Sequence, residues 1–410
     1  MENKIKLREI FKENLKRIKK SEDDVIDAKE YLELPDDEKK LWAPIPPKYE
    51  KVSKFAIAGY ITAAISATLY ILAMLSRPFA NFFNQNIASI FRFIFAKLTG
   101  ILPFSIAEGI LILAPLVLSL IAIYIAKNRC RSWKTTGVAI INLFSVFAIL
   151  LSCFCFTLGT GYRTDTLDTR LGIEKSDVMA EDLYASAIYL SNMANAEREN
   201  IAYGEDNFSI MPYGLDTLNE HLLDAYDKFS AKYDVVDNFD SRLKPVMLSK
   251  LMSYTHITGV YSFFTGEANI NIDFPDYTIP FTAAHELAHQ RGISRENEAN
   301  MIAFLVCINS DDAYVRYSAY LNMYEYVANA LYSADYSLYI KAAENLDFKI
   351  RAEEIAYSNF FKQYAGSTTS KISGTVNDTY LKVQGTEGTV SYGMVVDLTV
   401  AYLKSEGKIQ

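Results

Sequence analysis

Histidine and cysteine are scarce in this chain, four of each in 410 residues, and tryptophan is scarcer at two. The cysteines exclude a disulfide-stapled module and a thiolate metal site. There is no CxxC pair, and Cys130, Cys153 and Cys155 all precede residue 163, which leaves Cys307 alone in the rest of the chain. Within the apolar run MIAFLVC, Cys307 reads as a core residue. Positive charge is also missing where nucleic acid would need it. Residues 1–162 carry 21 Lys/Arg against 14 Asp/Glu, whereas the remainder carries 20 against 35. An acidic domain repels phosphates, so nucleic acid is excluded as a partner. A small-residue cleavage pattern is absent as well: about fifty mostly polar residues precede the first apolar run, which therefore reads as an anchor, not a signal peptide.

Long apolar runs are what the chain does have. Half of its residues are hydrophobic, and three uncharged segments, about 55–76, 109–126 and 137–160, reach spanning length. A fourth stretch, Ile87 to Phe104, contains Arg92, Lys97, Gly100 and Pro103, and suits an interfacial or re-entrant segment better than a span. With three spans, Lys48, Lys51 and Lys54 before the first and Lys127, Arg129, Arg131 and Lys134 between the second and third mark the cytoplasmic side. The expected division is a charged cytoplasmic arm and linker over 1–50, a transmembrane region over 51–162, and an extracytoplasmic domain over 163–410. The lipid bilayer is then an expected partner, and the number of chains that associate is left open.

Two of the four histidines stand in AAHELAHQRG, with His285 and His289 four residues apart and Glu286 beside the first. Four residues of helix turn through about 400°, so both imidazoles leave one face and can converge on one metal ion. At this histidine content an HExxH sequence is expected by chance about 0.002 times. The pattern is that of a zinc protease. Imidazole and carboxylate suit Zn2+, and a catalytic site keeps a position open for the water whose proton Glu286 would take. Pro280 or Thr282 is the expected helix start and Gly292 the expected left-handed cap.

A third ligand is expected from SRENEANMIAFL, a helix with Ser294 as its cap. Glu296 and Asn300 share a face four residues apart, as ligand and supporting acceptor would. Glu298, the alternative ligand, points roughly 200° away from Glu296. Ahead of HELAH, GVYSFFTGEANINIDFP has the alternation and turn residues of a short hairpin. Its segment Glu267, Ala268, Asn269, Ile270 and Asn271 is a candidate strand for holding an extended peptide. The fold class is thus an α-helical membrane region followed by a mainly α, α+β zincin-like domain. Tyr380 or Tyr392 is a candidate hydrogen-bond donor to an oxyanion. His256 and His221 read as structural.

ILPFSIAEGI, LGTGYR, the long stretch from ITGVYSFF through HELAHQRGISRENEANMIAFL, and VNDTYLKVQGTEGTVSYGMVVDL together resemble the bacterial membrane proteins grouped as domain of unknown function 3810. The likeness runs from the second span nearly to the end. It implies a membrane-anchored zinc metallopeptidase related to the gluzincins, without naming a substrate. LGTGYR stands where such proteins often have Trp-Gly-Leu-Asn-Tyr, and Asn300 where many zinc peptidases have Asp. The leading expectation is a zinc endopeptidase acting on a peptide or protein substrate. A non-catalytic zinc-containing binding or structural protein of the cell envelope is the alternative.

Overall fold

The computed structural model describes residues 51–129, 133–174, 176–364, 368–384 and 394–410. The described residues are mostly helical, with one small sheet. They open with α1 (Lys54–Leu75), α2 (Arg77–Phe82), a π-helical turn (Phe83–Ala88), α3 (Ser89–Gly100), α4 (Ile106–Arg129) and α5 (Trp133–Thr157). Among the described residues, three helical stretches are long and apolar enough to cross a membrane: Lys54–Leu75, Ile106–Ile123 and Thr136–Thr157. They match the three expected spans within a few residues. The Ile87 to Phe104 stretch is not among them, and its Arg92 is withdrawn from solvent into the protein.

Packing divides the chain into two units, Met1–Tyr60 with Leu116–Phe147, and Ile61–Pro115 with Ala148–Gln410. In the first, the Ser53 N–H donates to Asn142 Oδ1 (2.9 Å) and the Tyr60 hydroxyl to the Ile141 carbonyl (2.8 Å). The second contains the remaining elements: α6 (Leu167–Leu171), α7 (Ala180–Arg198), α8 (Leu215–Lys232), β1 (Leu243–Pro245), α9 (Ser249–Ser253), β2 (Gly259–Ser262) and β3 (Glu267–Ile270). They are followed by α10 (Thr278–Gln290), α11 (Glu296–Ile308), α12 (Ala313–Ala334), α13 (Tyr336–Asn345), α14 (Phe348–Lys362), α15 (Thr368–Val383) and α16 (Met394–Ser405).

The helix that carries HELAH lies inside the core of this second unit. Ala283, Ala284, Leu287 and Ala288 of α10 meet Ala299, Ile302, Ala303 and Val306 of α11, all fully buried, and α7, α8, α12 and α16 complete the shell. The alanines matter because small side chains let two helices approach closely while the apolar stripe still leaves water. The expected hairpin is present, β2 against β3, with Val260 opposite Asn269 and Tyr261 opposite Ala268. The sheet has a further strand that the sequence pattern hides: β1 runs parallel to β3, so the order is β1-β3-β2 and β3 is central.

The segment from α2 to α3 docks onto the same unit through buried polar contacts. Arg92 donates from Nε to Asp237 Oδ2 (2.7 Å), from Nη1 to Asn84 Oδ1 and the Thr157 carbonyl (3.0 Å each), and from Nη2 to the Asn84 carbonyl (2.7 Å). Asn84 Nδ2 in turn donates to the Gly292 carbonyl at 3.1 Å, just beyond α10. A buried guanidinium is tolerated only with such full pairing. The apolar stretch is thereby tied to the end of the HELAH helix.

Candidate metal centre

His285 and His289 leave the same face of α10, and Glu296 enters from the first turn of α11. Nε2 of His285 lies 3.0 Å from Nε2 of His289, and Glu296 Oε2 lies 3.2 Å from the former and 3.6 Å from the latter. A tetrahedral zinc with bonds of about 2.0–2.1 Å separates its donors by about 3.3–3.4 Å, which these three distances bracket. Among the described residues this is the one group of three or more His, Cys, Asp or Glu donors close enough to share an ion.

The ring protons make the same point chemically. His289 Nδ1 donates to the Ile293 carbonyl (2.7 Å) and His285 Nδ1 to Asn300 Oδ1 (2.7 Å). With both protons held at Nδ1, both Nε2 lone pairs face each other and the Glu296 carboxylate, an arrangement that asks for a cation. Local backbone supplies one of those contacts. The chain leaves α10 with Gly292 N bonding the His289 carbonyl and Ile293 N the Ala288 carbonyl, both 3.1 Å. This is the paired closure of a left-handed cap, for which Gly292 takes φ +96, and it turns the Ile293 carbonyl onto His289.

The two glutamates at the start of α11 part as their spacing requires. Glu298 Oε1 accepts from Arg295 Nη1 (2.8 Å) and from the Leu167 N–H (3.1 Å), away from the histidines. Arg295 also donates to the Tyr162 and Thr164 carbonyls, so Glu298 holds the 158–167 segment, including LGTGYR, against the helix. Ser294 is not the helix cap. Its hydroxyl donates to the Leu158 carbonyl at 2.6 Å, a tertiary contact that takes it from the helix end, and Arg295 occupies the cap position in extended backbone.

Glu286 is buried beneath the hairpin and accepts a hydrogen bond from the Tyr261 N–H of β2. A Cβ at Gly259 would stand 2.7 Å from both Cγ and Oε1 of Glu286 and 2.9 Å from Thr282 Cγ2, so only glycine fits there. Among the described residues, the outer strand beside the metal helix is β2. The segment 267–271 cannot hold a peptide, because β3 is paired on both sides and fully buried. Its side chains have internal tasks. Glu267 accepts the Ile106 and Ala107 N–H groups (3.0 and 2.8 Å), Asn269 donates to the Val260 carbonyl and Asn271 to the Ile257 carbonyl, while Ala268 and Ile270 join the core.

The field of the site favours positive charge at its centre. Burial raises Glu296, but both imidazoles outweigh it and hold the carboxyl well below the usual carboxylate range. Burial opposes a charge on His289, yet Glu296 and Glu286 push it up to about 9. Glu286 itself is raised by burial, partly offset by the two histidines. In a protein that binds a divalent ion here, that ion takes the place of the proton.

Tyr326, on α12, is the side chain near the site that has no local signature in the sequence. Its hydroxyl lies near the Asn300 side chain and within the field of Glu296, and Asn300 Nδ2 is buried with no hydrogen-bond partner. Of the two tyrosines expected as donors, Tyr392 and the side chain of Tyr380 lie outside the described residues. His256 meets the Tyr364 carbonyl (3.3 Å) and the edge of Phe361, and His221 lies beside Tyr213 and Asp312, so neither joins the triad. Cys307 is fully buried, as its apolar setting implies. Residues 79–400 match the family described as protein of unknown function, DUF3810. No curated protein and no solved structure matches the chain.

Proposed function

The chain belongs to the DUF3810 family, whose function is unknown, and from that premise we propose that it is a membrane-anchored zinc endopeptidase of zincin-like, gluzincin-related design. The observation that carries this is the convergence of three donor atoms, His285 Nε2, His289 Nε2 and Glu296 Oε2, beside a buried fourth group, Glu286. The donor group has three members among the described residues, which leaves zinc's fourth position for water, the mark that separates catalytic from structural sites. The closed four-ligand site of a purely structural protein has no counterpart in that group.

Zinc held there would lower the pKa of its water toward neutrality. Glu286 would serve as the base that takes a proton from such a water and hands it to the departing amine of a peptide. Burial raises Glu286 above the ordinary carboxyl range, which helps it hold the proton between the two transfers. The β2 edge aligns an extended substrate through main-chain hydrogen bonds, and Asn300 keeps His285 in its ligating tautomer. Tyr326, within the field of Glu296, is the phenol this reading assigns as donor to the developing oxyanion.

The distribution of Lys and Arg around the apolar helices supports an extracytoplasmic site, which reporter fusions after residue 163 would read. Metal titration tests the chemistry. Full-length protein stripped with a chelator should take up one zinc per chain and gain peptide-cleaving activity in parallel. No uptake, or uptake with no cleavage of any member of a diverse peptide library, contradicts the proposal.

A further inference from the structure

From the end of β1 through β2, the second unit presents apolar side chains to solvent. Met247 is 79% exposed and Leu251 64%, and Leu248, Tyr254 and Val260 are exposed beside them in the sequence. A run of large exposed apolar side chains outside a span calls for a partner. Glu108, in the first turn of α4, accepts the Met247 N–H on Oε2 and the Leu248 N–H on Oε1, both at 2.8 Å. That first turn is also the start of the apolar stretch Ile106–Ile123. The ridge therefore begins at the level where the second span begins.

Two further observations point the same way. Lys244, the residue three before Met247, donates to the Thr99 and Leu102 carbonyls at the end of α3. The apolar residues around those carbonyls, Leu98 and Ile101, are exposed as well, which extends the ridge toward the membrane region. Several backbone polar groups of the ridge are met from within. In addition to the Glu108 contacts, Ser249 Oγ donates to the Val246 carbonyl, Asn271 to the Ile257 carbonyl and Asn269 to the Val260 carbonyl. Internal satisfaction of backbone groups is what an apolar medium demands and water does not.

We propose that the ridge from Met247 to Val260 inserts into the lipid bilayer and seats the β2 edge at the membrane surface. The partner is lipid, and the ridge runs into the strand whose Gly259 lies against Glu286. Lipid contact does not depend on catalysis, so this proposal and the peptidase reading stand or fall separately.

Tryptophan reporters read the contact directly. In full-length protein with Trp42 and Trp133 replaced by Phe, Leu251→Trp would be placed in phosphatidylcholine nanodiscs, with Met247→Trp as a second reporter. Leu111→Trp, 66% exposed within the second span, is the embedded reference. The ridge reporters should show blue-shifted emission, strong quenching by lipids brominated near the glycerol end of the acyl chain, and little quenching by aqueous iodide. Iodide quenching of both ridge reporters, with no response to brominated lipid while Leu111→Trp responds, overturns the proposal.

Discussion

Replacing Glu296 by Gln separates the two acidic residues that open α11. Glu296 Oε2 lies within 3.6 Å of both imidazole Nε2 atoms, whereas Glu298 is engaged by Arg295 and the Leu167 N–H. An apparent zinc-binding free energy of about 10–16 kcal/mol for a four-ligand site implies roughly 3 kcal/mol per ligand, so Glu296→Gln should weaken zinc binding by roughly two orders of magnitude. Some folding would be retained, because the core around α10 and α11 is apolar. Glu298→Gln should leave zinc affinity unchanged but lower the melting temperature, since a buried charged hydrogen bond is worth about 1.5–3 kcal/mol. Competition against a chromophoric chelator measures the affinity, and thermal unfolding in detergent the stability. The reverse pattern, with metal lost in Glu298→Gln and kept in Glu296→Gln, would refute the assignment of the ligand.

Three other perturbations probe the surroundings of the triad. Gly259→Ala puts a methyl group 2.7 Å from Glu286 Oε1 and must displace the base or the strand; overpacking of about 1–3 kcal/mol, if it falls on the reaction barrier, cuts kcat/KM by roughly 5- to 150-fold while zinc content stays at one per chain, and unimpaired turnover would show that the strand does not confine Glu286. Tyr326→Phe should lower kcat by about 10²–10³ with KM little changed if its hydroxyl meets the oxyanion, and an unchanged kcat removes it from that role. Glu325 donates nothing to the triad, but burial with Glu354 nearby raises it from an ordinary 4.5 to about 8. The folded state then holds a proton that the unfolded state releases, so stability present at acid pH is lost as pH rises through about 8. The melting temperature of Glu325→Gln should fall less between pH 5 and 8 than that of the parent, and equal slopes would exclude Glu325 as the source.

The parts of the site written in helical periodicity were legible in the sequence. His285 and His289, and then Glu296 and Asn300, are each i,i+4 pairs, and the geometry brings them together because a helix leaves such pairs little alternative. The hairpin and the Gly292 turn were readable for the same local reasons. What depends on chain segments far apart was not. Nothing within GEANIN says that a parallel strand as short as Leu243–Pro245 will pair with it and make β3 central, so the edge went to the wrong strand. Ser294 has the chemistry of a cap, but the Leu158 carbonyl competes for its hydroxyl. Tyr326 reaches the site from α12 only through tertiary packing, and Arg92 is polar in an apolar run because Asp237 and Asn84 wait for it elsewhere.

Glu286→Gln tests the central claim most directly, since it removes the base and leaves the three donors in place. Full-length parent and variant, each loaded with zinc, would be digested against the same peptide library with metal content measured on the same samples. The account predicts one zinc per chain in both proteins and cleavage by the parent alone. Equal cleavage by the two, with zinc bound in each, would contradict it.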